Sequence, residues 1–155
     1  MPVWHRMYQM GVAQVRAGSF ENQKPQDISW DFYKRQPDIV VINLGTNDNS
    51  YTKGIEDRVL MFTKEYTKFI KKVREHNPDA TIICSLGIMG GQLYPAVESA
   101  VNAYKNETQD ENIELLNFDE QLQNDGYASD WHPTEITHEK AAKKLVAKIQ
   151  EKLVK

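Results

Sequence analysis

A succession of strand, helix, strand, helix, strand and helix predicts an α/β domain, a three-layer α/β/α sandwich built on a parallel sheet. Three observations carry it. Ile39–Leu44 and Thr81–Leu86 are short runs of β-branched and aliphatic residues without polar alternation, as parallel strands covered on both faces require. Long stripes of apolar residues at steps of three and four follow each run, and breakers such as Asn77-Pro78-Asp79 separate the two patterns.

Taken in order, Ile39-Val40-Val41-Ile42-Asn43-Leu44 reads as a central parallel strand. After a polar turn, Ile55, Val59, Phe62, Tyr66, Phe69, Ile70 and Val73 line one side of a helix that ends at Asn77-Pro78-Asp79. Thr81–Leu86 repeats the strand signature, and Gly87, Gly90 and Gly91 then form a loop leading to Tyr94-Pro95. Pro95 suits the first turn of a helix, where its missing N–H has no partner to lose. Val97, Val101 and Tyr104 carry that helix to about Gln109, and Ile113-Glu114-Leu115-Leu116 reads as a third, shorter strand. The last helix runs from about Ile136 to Leu153. Ala142, Leu145, Val146, Ile149 and Leu153 are expected on its apolar face, with Lys143, Lys144, Lys148 and Glu151 opposite. Residues 1–38 hold Trp4, Tyr8, Trp30 and Phe32 but no stripe, and read as an irregular lead-in to a domain over residues 39–155. Three strands make a poor doubly wound sheet, so the sheet is expected to be incomplete on its N-terminal side.

The chain of 155 residues carries 19 Lys and Arg against 22 Asp and Glu, a net charge of -3. With no basic stripe, that balance argues against a nucleic-acid partner. No apolar run approaches the roughly 18 residues of a membrane span, and Met1–Arg6 has no signal-peptide core. The single cysteine, Cys84, cannot form an intrachain disulfide.

Two segments have the residue types of a reaction site. Leu44-Gly45-Thr46-Asn47-Asp48 follows the first strand, at the carboxyl end where a parallel sheet presents its site. Gly45 permits a sharp turn, Asn47 can direct its amide at negative charge developing on a substrate oxygen, and Asp48 can hold the turn through backbone N–H groups. The same letters also spell an ordinary strand-to-helix turn. Ser129-Asp130-Trp131-His132-Pro133-Thr134 precedes the last helix. His132 stands two residues from a carboxylate in a turn-rich setting, as a general base and its orienting acid would, whereas His5, His76 and His138 read as incidental. The bland alternative is a set of helix-start residues with a surface histidine.

Together the two segments resemble the SGNH (GDSL-type) hydrolase superfamily, and in particular its acetyl-xylan-esterase-like carbohydrate esterases. The resemblance rests on Val41-Ile42-Asn43-Leu44-Gly45-Thr46-Asn47-Asp48 and on Asp130-Trp131-His132-Pro133, and covers about residues 30 to 150. It implies a flavodoxin-like α/β/α sandwich and ester hydrolysis through a serine, without a cofactor or a metal. Asn47 corresponds to the oxyanion-hole asparagine and His132 to the catalytic base. The acid of the family usually stands three residues before the histidine, where this chain has Ser129; Asp130 is the candidate instead, and a backbone carbonyl near Trp131 can also do the orienting.

The nucleophile departs from the pattern. No Gly-Asp-Ser occurs among Ser19, Ser29, Ser50, Ser85, Ser99 and Ser129, and Ala17-Gly18-Ser19-Phe20, the nearest imitation, lacks the preceding strand. Gly18 or Gly11 could supply the family's second oxyanion N–H. The simplest account is the C-terminal portion of a longer hydrolase, and the family's strand order would then leave Ile39–Leu44 with an unpaired apolar edge that favours self-association. The resemblance further implies a small-molecule or polysaccharide ester as substrate and a secreted or periplasmic parent. Its rival is a non-catalytic carbohydrate-binding or interaction domain on a degenerate esterase scaffold.

Other signals are weaker. Gly87-x-x-Gly90-Gly91 lacks the Lys-Ser/Thr pair of a phosphate loop, and His132, Asp130 and His138 do not make a zinc set. Asn106-Glu107-Thr108 matches a glycosylation sequon. Of the loop aromatics Trp4, Trp30, Tyr51, Tyr94, Tyr127 and Trp131, Trp131 beside His132 is the expected substrate wall.

Overall fold

The computed structural model describes residues 31–153. The lead-in up to residue 30, with Trp4, Tyr8, Trp30, Gly11, Gly18 and Ser19, lies outside them. Three parallel strands, β1 (Ile39–Asn43), β2 (Thr81–Ile88) and β3 (Ile113–Glu120), stand in the order β1-β2-β3. Ile42 pairs with Cys84, and Cys84 with Leu115. The helices are α1 (Thr46–Thr52), α2 (Glu56–His76), α3 (Tyr94–Thr108) and α4 (Glu135–Leu153).

The alternation of side chains along β2 builds the two outer layers. Ile82, Cys84 and Leu86 face a core shared with Phe62, Tyr66, Phe69, Ile70 and Val73 of α2 and with Val97, Val101 and Tyr104 of α3. Ile83 faces the other way, with Leu116 and Phe118 of β3, and α4 covers them through Ala141, Leu145 and Ile149. Cys84 is fully buried beside the Tyr66 hydroxyl, and burial pushes its thiol up to about 12, so it behaves as a small apolar residue and not as a nucleophile. At the amino ends of the strands, Arg74 gathers the chain. Its guanidinium donates to Asp110 Oδ2 at 2.8 Å and to the carbonyls of Asn77, Pro78, Ala80 and Asn112 at 2.6–3.1 Å.

Several sequence expectations are corrected here. Within the described sheet the central strand is β2. Among the described residues the first strand pairs only with β2; on its α4 side Ile39 packs against the cluster beneath that helix, while Val41 is 40% exposed. The second strand continues past Leu86 through an irregularity at Gly87. There the strand needs glycine, since a Cβ would stand 2.3 Å from the Phe118 carbonyl oxygen and φ is +133°. The third strand is as long as the second, because beyond Leu116 it alternates Asn117, Phe118 and Asp119 on an edge instead of staying apolar.

The polar turn after β1 is a short helix, α1. It has no apolar stripe and ends at Lys53 in the left-handed conformation, and Arg58 holds it by donating to the Tyr51 carbonyl at 2.9 Å. On α4 the packed stripe is Thr137, Ala141, Leu145 and Ile149, offset from the expected one: Ala142 and Val146 are exposed. Lys148, expected in solvent, lies half-buried and pairs at 3.1 Å with Glu114, which also meets Lys152. The long stems of these lysines cover the sheet while their charges reach Glu114.

Candidate active site

All three strands are parallel, so their carboxyl ends share one edge of the sheet, and both sequence segments arrive there. Gly45 caps α1 with φ +138° and is buried; a Cβ on it would lie 3.2 Å from Leu86 Cδ1 and 3.4 Å from the Phe62 ring. The chain therefore leaves β1 sharply, and Thr46, Asn47 and Asp48 form the first turn of α1. Asn47 is exposed and its amide has no hydrogen-bond partner among the described residues. Asp48 is half-buried in that first turn, where the helix N-terminus favours a carboxylate.

Hydrogen bonds tie the three strand ends together. Asn49 Nδ2 donates to Gln92 Oε1 at 3.3 Å, linking α1 to the loop after β2. The Gly91 N–H donates to Glu120 Oε1 at 2.8 Å, linking that loop to the end of β3. Gln121 completes the series: its backbone N–H donates to the Ile88 carbonyl and its side-chain amide to the Trp131 carbonyl, each at 2.8 Å.

The histidine segment is a tight turn. The His132 N–H donates to the Ser129 carbonyl at 3.1 Å, and the Ala128 N–H donates to the His132 carbonyl at 2.8 Å. Asp130 (φ 53°, ψ 38°) and Trp131 (φ 62°) both occupy the left-handed region, two consecutive residues with a Cβ where each costs roughly 1–3 kcal/mol. Beyond the turn, Thr134 Oγ1 donates to the Asp125 carbonyl at 2.9 Å, and the Asp125 carboxylate receives Lys140 Nζ at 2.6 Å. The base of α4 is thereby fixed to the segment before the turn.

The turn folds the Ser129 carbonyl oxygen to 3.0 Å from His132 Nδ1. A carbonyl only accepts, so Nδ1 carries a proton, and in the neutral ring Nε2 then presents its lone pair. Nε2 has no hydrogen-bond partner among the described residues. The Asp130 carboxylate, expected on the imidazole, instead accepts from the Ser129 hydroxyl at 3.4 Å, and among the described residues no hydrogen bond joins it to the ring. Among the described residues no hydrogen bond joins Asn47 to His132; the two are placed at the same sheet edge by separate loops.

Trp131 is 70% exposed, and its ring meets Tyr127 at 5.0 Å and 56°, so an aromatic surface stands beside the histidine. Four serines fall in the described region. Ser85 is fully buried and donates to the Ile42 carbonyl at 3.0 Å, and Ser99 donates to the Pro95 carbonyl at 2.8 Å from within α3. Ser50 lies in α1 and Ser129 in the turn itself, and none of the four bonds to Nε2. Among the described residues no group of three or more His, Cys, Asp and Glu side chains stands together that could hold a metal ion.

The sequence singled out Asn47 and His132, but not Gln92, Glu120 and Gln121, whose hydrogen bonds tie the strand ends together. Their signal is position alone: Gln92 lies in the loop after β2, Glu120 ends β3 and Gln121 follows it.

Comparison with known proteins gives a consistent result. Residues 11–145 match the family model described as GDSL-like Lipase/Acylhydrolase. Cellulase/esterase CelE of Acetivibrio thermocellus is 37% identical over 130 residues, which are 81% of this chain and 16% of that protein. A solved structure of an acetyl xylan esterase, Est2A, from the rumen bacterium Butyrivibrio proteoclasticus superposes with a TM-score of 0.75 at 27% identity, covering 80% of this chain and 39% of that one. A family two carbohydrate esterase from Clostridium thermocellum, solved in complex with cellohexaose, gives a TM-score of 0.69 at 37% identity over 81% of this chain and 39% of the other. The chain thus spans about a sixth of CelE and about two fifths of each of these two solved chains.

Proposed function

The chain belongs to the GDSL-like lipase/acylhydrolase family, and from that membership we propose that it serves in the deacetylation of a polysaccharide, by acyl transfer through a serine ester. The observation that carries the proposal is the bond from His132 Nδ1 to the Ser129 carbonyl, which leaves Nε2 as the proton acceptor. In the reaction Nε2 takes the proton of a serine hydroxyl as its oxygen attacks the ester carbonyl carbon. The oxyanion that forms is held by the Asn47 amide together with backbone N–H groups. Collapse breaks the bond to the sugar oxygen, which leaves with the proton from His132. Water then attacks the acyl-serine as His132 takes its proton; collapse breaks the bond to the serine oxygen, which takes that proton back from His132, and acetate departs. The Ser129 carbonyl holds the imidazole in its tautomer and faces the imidazolium with a dipole in place of a carboxylate.

The serine comes, in this reading, from outside residues 31–153. The esterase and acetyl xylan esterase names of the relatives support the acetyl group, and the cellohexaose complex supports a β-linked sugar chain lying along Trp131. The test is acetate release from acetylated xylan. Activity should fall by about 10³-fold or more in His132→Ala, and retention of a tenth of it would overturn the reading. A second reading, a carbohydrate-binding domain without catalysis, is favoured by the lack of any described serine bonded to Nε2. It requires cello- or xylo-oligosaccharide binding by calorimetry with no acetate released.

A further inference from the structure

We infer that Gln121 is a positioning residue for His132, acting through the peptide group that joins Trp131 to His132. The inference rests on the reading of His132 as the base. That peptide plane is held at both edges: its carbonyl accepts from Gln121 Nε2 at 2.8 Å and its N–H donates to the Ser129 carbonyl at 3.1 Å. The second bond ends on the same oxygen that receives His132 Nδ1, so the orientation of one plane sets both the start of the imidazole and the place of its acceptor.

The backbone there does not hold itself. Asp130 and Trp131 sit in the left-handed region without being glycine, a conformation that persists only where contacts over-determine it. Among the described residues, Gln121 is the only side chain outside the turn that hydrogen-bonds to residues 129–132. Its own footing is firm, since its backbone N–H is bonded at 2.8 Å to the Ile88 carbonyl just beyond Gly87. The amide cannot be reversed, because its oxygen would then face the Trp131 carbonyl, acceptor against acceptor. Gln121 Oε1 is buried and has no hydrogen-bond partner among the described residues. An amide kept in place with one end unsatisfied is a costly way to fill space, and it fits a residue retained for its other end.

The experiment reads the tautomer directly. The imidazole ¹⁵N shifts of His132 are recorded by NMR in the wild-type chain, in Gln121→Leu and in Gln121→Glu, under conditions where the ring is neutral. The wild type should show the Nδ1–H form. Both variants should show a mixture or the Nε2–H form, and kcat for acetate release should fall about 10²-fold with KM nearly unchanged. Should Gln121→Leu fail to fold, Gln121→Glu keeps size and polarity while losing the donor, and carries the test alone. A folded variant in which His132 stays wholly Nδ1–H overturns the inference. The tautomer is read without turnover, so a wild type that releases no acetate but shows the expected change refutes the esterase reading and leaves the positioning role standing.

Discussion

His132 Nδ1 meets the carbonyl oxygen of Ser129 at 3.0 Å, three residues back along its own turn, while the intervening Asp130 turns its carboxylate away to the Ser129 hydroxyl. Among the described residues the group that meets Nδ1 is thus a main-chain atom. In the proposed reaction a carbonyl fixes the same tautomer as a carboxylate but brings no charge, so it would face the imidazolium with a dipole.

Asp130→Asn follows from this. Asn accepts the left-handed backbone at Asp130 as readily as Asp does, so the turn should survive. Deacetylation rates should change by less than about threefold, against the ~10⁴-fold loss that removal of a true triad carboxylate brings. Steady-state kinetics on acetylated xylan decide it, and a loss of 10² or more would return Asp130 to the role of acid.

Asn47→Ala separates chemistry from folding. The side chain is exposed and unbonded among the described residues, so the melting temperature should hardly move. Loss of one oxyanion donor typically costs about 10²–10³ in kcat. A decrease of less than threefold would reject the assignment of Asn47.

The elements that were legible in the sequence are those whose burial is one-sided or complete. The α2 stripe from Val59 to Val73 and the apolar run of β2 correspond directly to the core they form, whereas Ile55, expected to open that stripe, caps the helix and is exposed. What was not legible depended on partners distant in sequence. β3 continues past Leu116 because Phe118 finds Ile83 and α4, and β2 continues through Gly87 because the Phe118 backbone crosses there. On α4 the stripe is decided by Ala141, Leu145 and Ile149 meeting Ile83, Leu116 and Phe118, which leaves Val146 outward and brings Lys148 and Lys152 within reach of Glu114. In the site, Asn47 and His132 stood out as side chains with recognisable chemistry. The Ser129 carbonyl has no letter of its own, and Gln121 belongs to no motif.

Acid should weaken the fold through two carboxylates at opposite faces of the domain. Burial works against the charge of Asp110, but the Tyr104 hydroxyl, the Asn112 N–H and Arg74 outweigh it and hold the carboxyl below its ordinary 3.8. Glu114 is likewise opposed by burial and held below 4.5 by Lys152 and Lys148. A folded-state pKa lowered in this way contributes stability that is full above the unfolded value and is lost as pH falls through the folded one. The urea midpoint should therefore drop on titration from about pH 5 to about pH 3, and the drop should be shallower in Asp110→Asn. An unchanged slope in that variant would show that the Arg74 cluster does not carry the effect.

Gly87→Ala tests the link between the sheet irregularity and the histidine turn. A methyl at Gly87 would stand 2.3 Å from the Phe118 carbonyl oxygen, a backbone atom that cannot swing aside, at φ +133°. Gly54 offers the control: its φ is +70°, yet nothing lies within 4 Å of its added Cβ. Gly54→Ala should cost only the conformational term of about 1–2 kcal/mol, whereas Gly87→Ala must also move β3 and should cost about 3 kcal/mol or more. The movement would propagate, because the Gln121 N–H is anchored on the Ile88 carbonyl next to Gly87. Gly87→Ala should therefore also disturb the His132 imidazole signals, and Gly54→Ala should not. Equal shifts of the urea midpoint in the two variants would show that the close approach at Phe118 is not what requires glycine at this position.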